Sequence, residues 1–143
     1  MENPGENKPV GCVFHWGFEW KTKLTIFGLP LVHIAVGRNR STGKLLVAKG
    51  IIAIGQFAVG FVAIAQFGLG LFLGLGQFAA GSFAVAQFAL GLYFGLGQFA
   101  TGFICIAQFG LGQYVLAQIG YGKYIWSMAA KDPQALEYFR SLL

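Results

Sequence analysis

The sequence predicts an all-β protein built around a four-sided β-helix, and three observations lead to that fold class. From Gly50 to Trp126 the 143-residue chain is an almost unbroken five-residue repeat that opens on Gly or Ala. The repeat returns to the same place every 21 residues, since a cycle such as Gly76 to Leu96 holds three units of five and one of six. The units are rich in Phe, Val and Ile, which favour strands, and they lack the 3.6-residue spacing of a helix. About four stacked coils of 21 residues are expected, each with four sides.

Four segments follow in order along the chain. Residues 1–10 are expected to be a disordered N-terminus, and residues 11–49 an N-terminal β cap or extension, because residues 20–37 have the composition of strands broken by Gly28 and Pro30. Residues 50–126 are the β-helix repeat block. Its small first residues are expected to mark the corners of each coil and to let neighbouring coils approach closely.

The last segment, residues 127–143, is predicted to be a C-terminal amphipathic helix. Asp132 followed by Pro133 is a helix start signal. Leu136, Phe139 and Leu143 would then lie on one face of the helix, which would cap the last coil or anchor the chain at an interface.

The exterior of the repeat block is predicted to be apolar. A four-sided coil has room for about one large side chain per face, so only one of two sets of large residues can point inward. The sequence leaves open which set does so, the third position (Phe57, Phe67, Phe78, Phe88, Phe99, Phe109) or the fifth (Val59, Leu69, Val85, Leu90, Ile106, Leu111). Either way, the outer set exceeds the few hundred Å² of apolar surface that soluble monomers expose. A lipid bilayer is the expected cover, because a β-helix pairs its backbone from coil to coil.

The predicted height of the block is small for a membrane span. Fewer than four coils at roughly 4.8 Å each give about 18 Å, against a hydrocarbon core of about 30 Å. The sequence leaves three arrangements open: an extension of the solenoid into residues 11–49, two copies meeting end to end, or insertion into one leaflet.

Charge is confined to the flanks of the block. No charged residue lies between Lys49 and Lys123. The flanking cations are predicted to contact lipid headgroups, the alternative being that they merely keep the two ends soluble; they are Arg38, Arg40, Lys44, Lys49, Lys123 and Lys131. The net charge of +5 does not indicate nucleic acid, because the basic residues form no stripe among exposed aromatic residues on a polar surface.

Glutamines are the one polar pattern inside the block. Counted by 21-residue coils they form two columns on opposite faces, Gln56, Gln77, Gln98 and Gln118 in one and Gln66, Gln87 and Gln108 in the other. A Gln exposed to lipid is costly, so these residues are a predicted homo-oligomer interface. Two alternatives are amide ladders along the axis within one chain, and a water-filled path between protomers.

The period and the small residues resemble those of the pentapeptide-repeat proteins, whose coils form a right-handed four-sided β-helix. Those soluble proteins are largely polar outside, whereas units such as residues 60–64 and 102–106 are apolar throughout. Residues 28–34, residues 48–55 and the tail with Asp132-Pro133 look like a group of uncharacterised bacterial proteins rich in Ala-Ile-Gly units. That resemblance implies a bacterial, membrane-associated protein, and it brings no known catalytic residues. The bacterial cytoplasmic membrane is the expected location.

The residues predict neither an enzyme nor a cofactor or metal site. Residues 37–44 approach a phosphate-binding loop but have Leu45 where Ser or Thr should bind magnesium, which favours a solvated turn. No acidic residue lies between Glu19 and Asp132 to hold a ribose or to act as a general acid or base. A metal cluster of Cys12, His15 and Glu19 is conceivable but not predicted, and His33, in an apolar strand after Pro30, is expected to be a hydrogen-bonded capping residue. The two cysteines, Cys12 and Cys105, are expected to be buried thiols.

The predicted function is that of a membrane-embedded structural or scaffolding protein that self-associates through its coil faces. Three alternatives use the same residues: an oligomeric membrane pore, a soluble self-assembling β filament, and a membrane protein with three helical spans. The last is possible on length, because 77 residues could cross a bilayer about three times at roughly 20 residues each.

Overall fold

The computed structural model describes residues 17–142 and shows an all-β protein with one short C-terminal helix, as predicted. In chain order the elements are β1 (Phe18–Lys21), β2 (Thr25–Ile26), β3 (Leu29–Pro30), β4 (Val32–Val36), β5 (Val47–Trp126) and α1 (Pro133–Leu142). Strand β5 is continuous over 80 residues, so strand occupies the positions that three helical spans would require. The predicted disordered segment 1–10, the first part of the predicted cap and Leu143 lie outside the described residues.

Strand β5 lies beside itself after every 10 or 11 residues, and we call each such stretch a pass. The backbone shows this directly: a Cβ atom added to Gly60 would collide with the carbonyl oxygen of Gly50, and one added to Gly112 with that of Gly102. First-position glycines therefore allow close approach of neighbouring passes, as expected. The interval differs from the prediction, because a four-sided coil would bring residues 21 apart together, whereas neighbours are two units apart rather than four.

The interior of β5 is lined by the fourth residue of each unit. These residues are small with few exceptions, and the following are at most 1% exposed: Ala53, Ala58, Ala63, Ala79, Ala84, Ala89, Ala100, Cys105 and Val115. The third and fifth positions both face outward, as Phe67 at 52% and Leu69 at 54% exposure illustrate. Neither of the two positions that the sequence left open therefore faces inward. Two-unit passes bring opposite walls so close that a methyl group or a bare Cα fills the space between them.

The N-terminal elements cover one end of β5. Strand β4 pairs in parallel with the start of β5, with Val32 opposite Ile52, and β1 pairs antiparallel with the outer edge of β4. β1 is then the edge strand, and its short length and its charged residues Glu19 and Lys21 are features that discourage pairing at an exposed sheet edge. Residues 37–46 leave the sheet as a loop between β4 and β5, closed by a bridge from Arg38 to Leu45. The stretch resembling a phosphate-binding loop is therefore an exposed turn.

Strands β2 and β3 form a small hairpin with an unusual tip. Thr25 pairs with Pro30 and Ile26 with Leu29, which leaves Phe27 and Gly28 as the two-residue turn. Both have positive φ, 53° for Phe27 and 77° for Gly28, as a type I′ turn requires. Phe27 is 100% exposed, so a bulky side chain stands at the tip in a conformation that favours glycine or asparagine.

The C-terminal helix packs on the opposite end of β5. Asp132 Oδ1 accepts a hydrogen bond from the backbone N–H of Gln134 at 2.9 Å, and Pro133 is the first helical residue. This is the expected N-cap arrangement. Phe139 is buried, and the ring of Tyr138 stacks on that of Tyr114 with centroids 4.0 Å apart. The helix therefore covers the last passes, as the capping alternative predicts.

Candidate functional site

The glutamines predicted to lie in two columns lie in one. Each glutamine up to Gln108 precedes a phenylalanine, and those phenylalanines contact one another at intervals of 10 or 11 residues. The glutamines follow the same interval and form what we call the glutamine column: Gln56, Gln66, Gln77, Gln87, Gln98, Gln108 and Gln118. The two predicted columns become one because a pass contains two units. Every second unit of the repeat therefore lies on the same side of β5.

The amide groups of the glutamine column face outward and are free to accept and donate hydrogen bonds. From Gln66 to Gln118 its members are exposed, and Gln56 is half-buried. Among residues 17–142, no hydrogen bond links one glutamine side chain to another. The predicted amide ladder within one chain is therefore not formed. Each amide retains both its donor and its acceptor capacity.

A ladder of aromatic rings runs beside the glutamine column. The rings of Phe57, Phe67, Phe78, Phe88, Phe99 and Phe109 contact in sequence, with centroid separations from 4.5 to 5.9 Å. Tyr121 extends the ladder at 6.2 Å. Stacked or offset pairs of this kind contribute about 0.5–1.5 kcal/mol each beyond the area they bury. The ladder therefore holds neighbouring passes in register from outside.

The opposite side of β5 is more apolar. There the second position holds Phe61, Leu71, Ser82, Leu92 and Phe103, and a glutamine only at Gln113. Leu71 and Leu92 are each 73% exposed, and shorter aromatic ladders connect Phe61 to Tyr93 and Phe103 to Tyr124. The two sides of β5 thus differ in chemistry, one carrying a polar column and the other none.

The flanking cations lie at opposite ends of β5. Arg38, Arg40 and Lys44 belong to the loop 37–46, and Lys49 lies in the first pass. Lys123 lies in the last pass, where its Nζ is 5.2 Å from the ring centroid of Tyr124, and Lys131 follows the strand. The structure therefore brings the N-terminal cations together and separates them from Lys123 and Lys131 by the length of the strand.

A pocket of about 500 Å³ opens at the N-terminal end, among these cations. We call it the end pocket. Three lysines line it, Lys21, Lys44 and Lys49, with Glu19 and the buried His33. The remainder of the lining is mostly apolar, with two polar side chains: Leu29, Pro30, Asn39, Thr42, Leu45, Leu46 and Val47.

Glu19 and His33 form a fixed pair in the wall of the end pocket. The backbone N–H of Lys49 donates to His33 Nδ1 at 2.7 Å, and His33 Nε2 lies 3.1 Å from Glu19 Oε1. A tautomer with its hydrogen on Nε2 satisfies both contacts. The same Glu19 oxygen lies 2.7 Å from Lys21 Nζ. The hydrogen bond from Lys21 holds the pKa of Glu19 below its ordinary value against the opposing effect of burial, and His33 adds to the lowering.

Sequence reasoning missed this pair, although it described His33 as a hydrogen-bonded capping residue. One signal was available, because His33 aligns with Ala53 in the register of β4 and β5. Residues 30–34 can thus be read as one more unit of the repeat, with histidine in its inner, fourth position. Lys21 carried no comparable signal, since its position depends on β1 folding back onto β4.

An apolar groove of about 380 Å³ adjoins the end pocket. Its walls are the aromatic ladder from Phe57 to Phe78 on one side and the fifth-position residues Val59 and Leu69 on the other. Ala58 and Gly68 lie between the walls. Val47 lines both the groove and the end pocket, so the two cavities meet at that residue.

The described residues contain no group of three or more His, Cys, Asp or Glu side chains that could hold a metal ion. Cys12 and His15 of the cluster set aside above lie outside the described part of the chain. Cys105 is a buried thiol, as predicted, and its Sγ donates to the carbonyl oxygen of Ala100 at 3.1 Å.

Within residues 17–142 there is no helix with the length and apolar character needed to cross a membrane. Comparison with family models, with curated proteins and with solved structures gives no match. The function must therefore be argued from the geometry of this chain.

Proposed function

We propose that the protein is a membrane-embedded β-solenoid that acts as a structural or scaffolding element and self-associates through its glutamine column. Each pass of β5 is then one flattened coil of two units. The proposal is carried by one observation: at the observed interval, the uncharged part of β5 has the height of a bilayer.

The height follows from the register. Lys49 and Lys123 are 74 residues apart, which is about seven passes of 10 or 11 residues. At roughly 4.8 Å per pass the uncharged stretch is about 34 Å high, close to the hydrocarbon core of about 30 Å. The height expected from the sequence was about half as large because each coil was taken to contain 21 residues, which is two passes. No extension, end-to-end pairing or single-leaflet insertion is needed to span a bilayer.

The side chains at the two ends support the same placement. Trp and Tyr are enriched where membrane proteins meet the headgroups, together with Lys and Arg. Trp20 accompanies the cations at the N-terminal end, and Tyr121, Tyr124 and Trp126 accompany Lys123 at the other. Tyr93 is the tyrosine of β5 that lies nearer the middle of the strand. Between the ends the outward side chains are mostly Phe, Leu, Val and Ile.

Backbone pairing supports the placement as well. Hydrocarbon tolerates no unpaired N–H or C=O group, and a solenoid leaves such groups only in its first and last coils. Strands β1 and β4 cover the first, and helix α1 with the Trp126 to Lys131 bridge covers the last.

The single glutamine column favours a closed pair of chains. Seven outward amides in lipid would be costly, whereas a glutamine donates and accepts equally and is therefore complementary to another glutamine. One column per chain gives an interface in which both partners use the same surface, which closes as a dimer. The two opposite columns expected from the sequence would instead have propagated a longer assembly.

Fractionation of the full-length chain tests the proposal. After expression in bacteria, membranes are pelleted and washed with alkaline carbonate, which removes peripheral proteins. We expect the chain to stay in the pellet, to require detergent for release, and to give a strand-type circular dichroism spectrum in that detergent. Recovery in the supernatant before detergent would contradict the proposal and would favour the soluble filament.

A further inference from the structure

We propose that the end pocket and the groove that joins it at Val47 bind one anionic phospholipid. The phosphate would lie among the lysines of the end pocket, and one acyl chain would lie in the groove. The inference rests on the proposed function, because the acyl chain must enter the groove from a bilayer.

The end pocket has the charge that a phosphate group requires. Its three lysines outnumber its one carboxylate, and that carboxylate is already in contact with Lys21 and His33. Lys44 and Lys49 are both exposed. Lysine clusters beside a membrane attract anionic headgroups, and lysine is a common point-charge partner of phosphate.

The groove has the shape and direction that an acyl chain requires. Its lining residues follow the interval of the passes, from Val47 through Phe57 and Phe67 to Phe78, so the groove runs along the axis of β5. Three passes at roughly 4.8 Å correspond to about 14 Å. An axis that spans the bilayer is parallel to the lipid chains, so the chain need not bend to enter.

The adjacency of the two cavities, which share the lining residue Val47, favours a lipid over free phosphate. Five of the end-pocket residues are apolar, and one of them, Val47, is also the first residue of the groove. A free phosphate would leave both apolar surfaces unoccupied. A phospholipid covers the cationic and the apolar parts at once.

Native mass spectrometry of the full-length chain in mild detergent tests the site with three probes, phosphatidylglycerol, phosphatidylcholine and inorganic phosphate. We expect one bound phosphatidylglycerol and binding of phosphatidylcholine about tenfold weaker. The double variant Lys44→Gln with Lys49→Gln should weaken phosphatidylglycerol binding by about tenfold or more. The matched control, Lys123→Gln with Lys131→Gln, removes two charges at the opposite end and should leave binding unchanged.

The groove is tested separately with Val59→Trp, which fills it from the exposed wall. We expect weaker phosphatidylglycerol binding, while Leu111→Trp, in the same column near the other end, should have no effect. Equal losses in the Lys44/Lys49 and Lys123/Lys131 variants would overturn the site. The site would also be overturned if equimolar inorganic phosphate displaced phosphatidylglycerol completely and Val59→Trp bound phosphatidylglycerol as wild type does. That result would indicate a site for free phosphate. Either outcome would leave the chain in the membrane pellet. If the proposed function is wrong, the wild-type chain itself is absent from that pellet.

Discussion

Phe88 and Phe99 stack with ring centroids 4.5 Å apart and planes 5° from parallel, although eleven residues separate them in sequence. Phe78 and Phe88 stack equally well across ten residues. Among the phenylalanines of this ladder, from Phe57 to Phe109, the interval is eleven where a six-residue unit, such as residues 91–96, lies between the two rings, and ten elsewhere. The 21-residue superperiod therefore equals two passes, one of each length. The extra residue is absorbed on the side away from the glutamine column.

Enlarging an inner residue should destabilise the protein far more than enlarging an outer neighbour. Ala84 is completely buried between the two walls, so Ala84→Leu must push them apart, at a cost of about 1–3 kcal/mol or more. Ser82, two residues earlier, lies outside in the column of Leu71 and Leu92. Ser82→Leu should be tolerated, although it removes a hydrogen bond from Ser82 Oγ to the Leu71 carbonyl. Thermal unfolding followed by circular dichroism in detergent compares the two; equal midpoints would contradict the two-walled interior.

Removing two amides from the middle of the glutamine column should dissociate the assembly without unfolding the chain. Gln77→Leu with Gln98→Leu replaces polar groups that we propose face a second copy, and leaves the inner residues untouched. The control is Gln113→Leu, which changes a glutamine on the opposite side of β5. We expect monomers for the double variant and dimers for the control, measured by sedimentation in density-matched detergent. An unchanged assembly state in the double variant would refute the interface.

The strand content and the C-terminal helix could be predicted from sequence, but the interval between neighbouring passes could not. A superperiod of 21 residues is compatible with one four-sided coil or with two flattened ones, since both return each unit to an equivalent place. The deciding signal was the fourth residue. It is Ala or Gly in most units, such as Ala58 and Gly68, and an interior lined mostly by small residues favours two walls in close contact.

The candidate site was predictable only in part, because it depends on contacts that do not recur with the five-residue repeat. The flanking cations could be recognised in the sequence, and two of them, Lys44 and Lys49, do line the end pocket. The pair of Glu19 and His33 was not, since it joins residues 14 apart through the antiparallel return of β1. Sequence periodicity says nothing about such a return. It also says nothing about where the loop 37–46 places its side chains.

Stability should fall at low pH through Glu19. The pKa of this carboxyl is lower in the folded chain than in the unfolded chain, owing first to the hydrogen bond from Lys21. Between the two values the unfolded chain binds more protons, so this stabilisation is present above the unfolded value of about 4.3 and is lost as the pH falls through the folded value. The lowering of the melting temperature by Glu19→Gln should therefore be larger at pH 6 than at pH 3.

The matched control for that experiment is Glu137→Gln, which removes the same charge from helix α1 at the other end of the molecule. Its difference from wild type should vary less between pH 3 and pH 6 than that of Glu19→Gln. Parallel curves for wild type and Glu19→Gln across this range would show that the Glu19 contacts do not stabilise the cap.

Replacing Phe27 should relieve backbone strain at the hairpin tip. Phe27 adopts φ 53°, and its side chain is completely exposed, so packing does not offset the strain. The left-handed region costs a bulky residue about 1–2 kcal/mol. Phe27→Gly and Phe27→Asn should both raise the melting temperature in detergent, by up to a few degrees, because both residues accept this conformation. A lower melting temperature for both variants would mean that the ring stabilises the hairpin by more than the strain costs.

In the proposed membrane placement, the N-terminal end of β5 should face the cytoplasm. Basic residues near a span favour the cytoplasmic side. Of the described residues, six at the N-terminal end are basic, Lys21, Lys23, Arg38, Arg40, Lys44 and Lys49, against Lys123, Lys131 and Arg140 at the other. Exposed single cysteines can report the orientation in intact cells when Cys12 is replaced by Ser. A membrane-impermeant maleimide should label Ala129→Cys, which lies beyond the last pass, and should label Ser41→Cys only after the cells are opened. Labelling of Ser41→Cys in intact cells would reverse the orientation, and it would place the proposed lipid site in the outer leaflet.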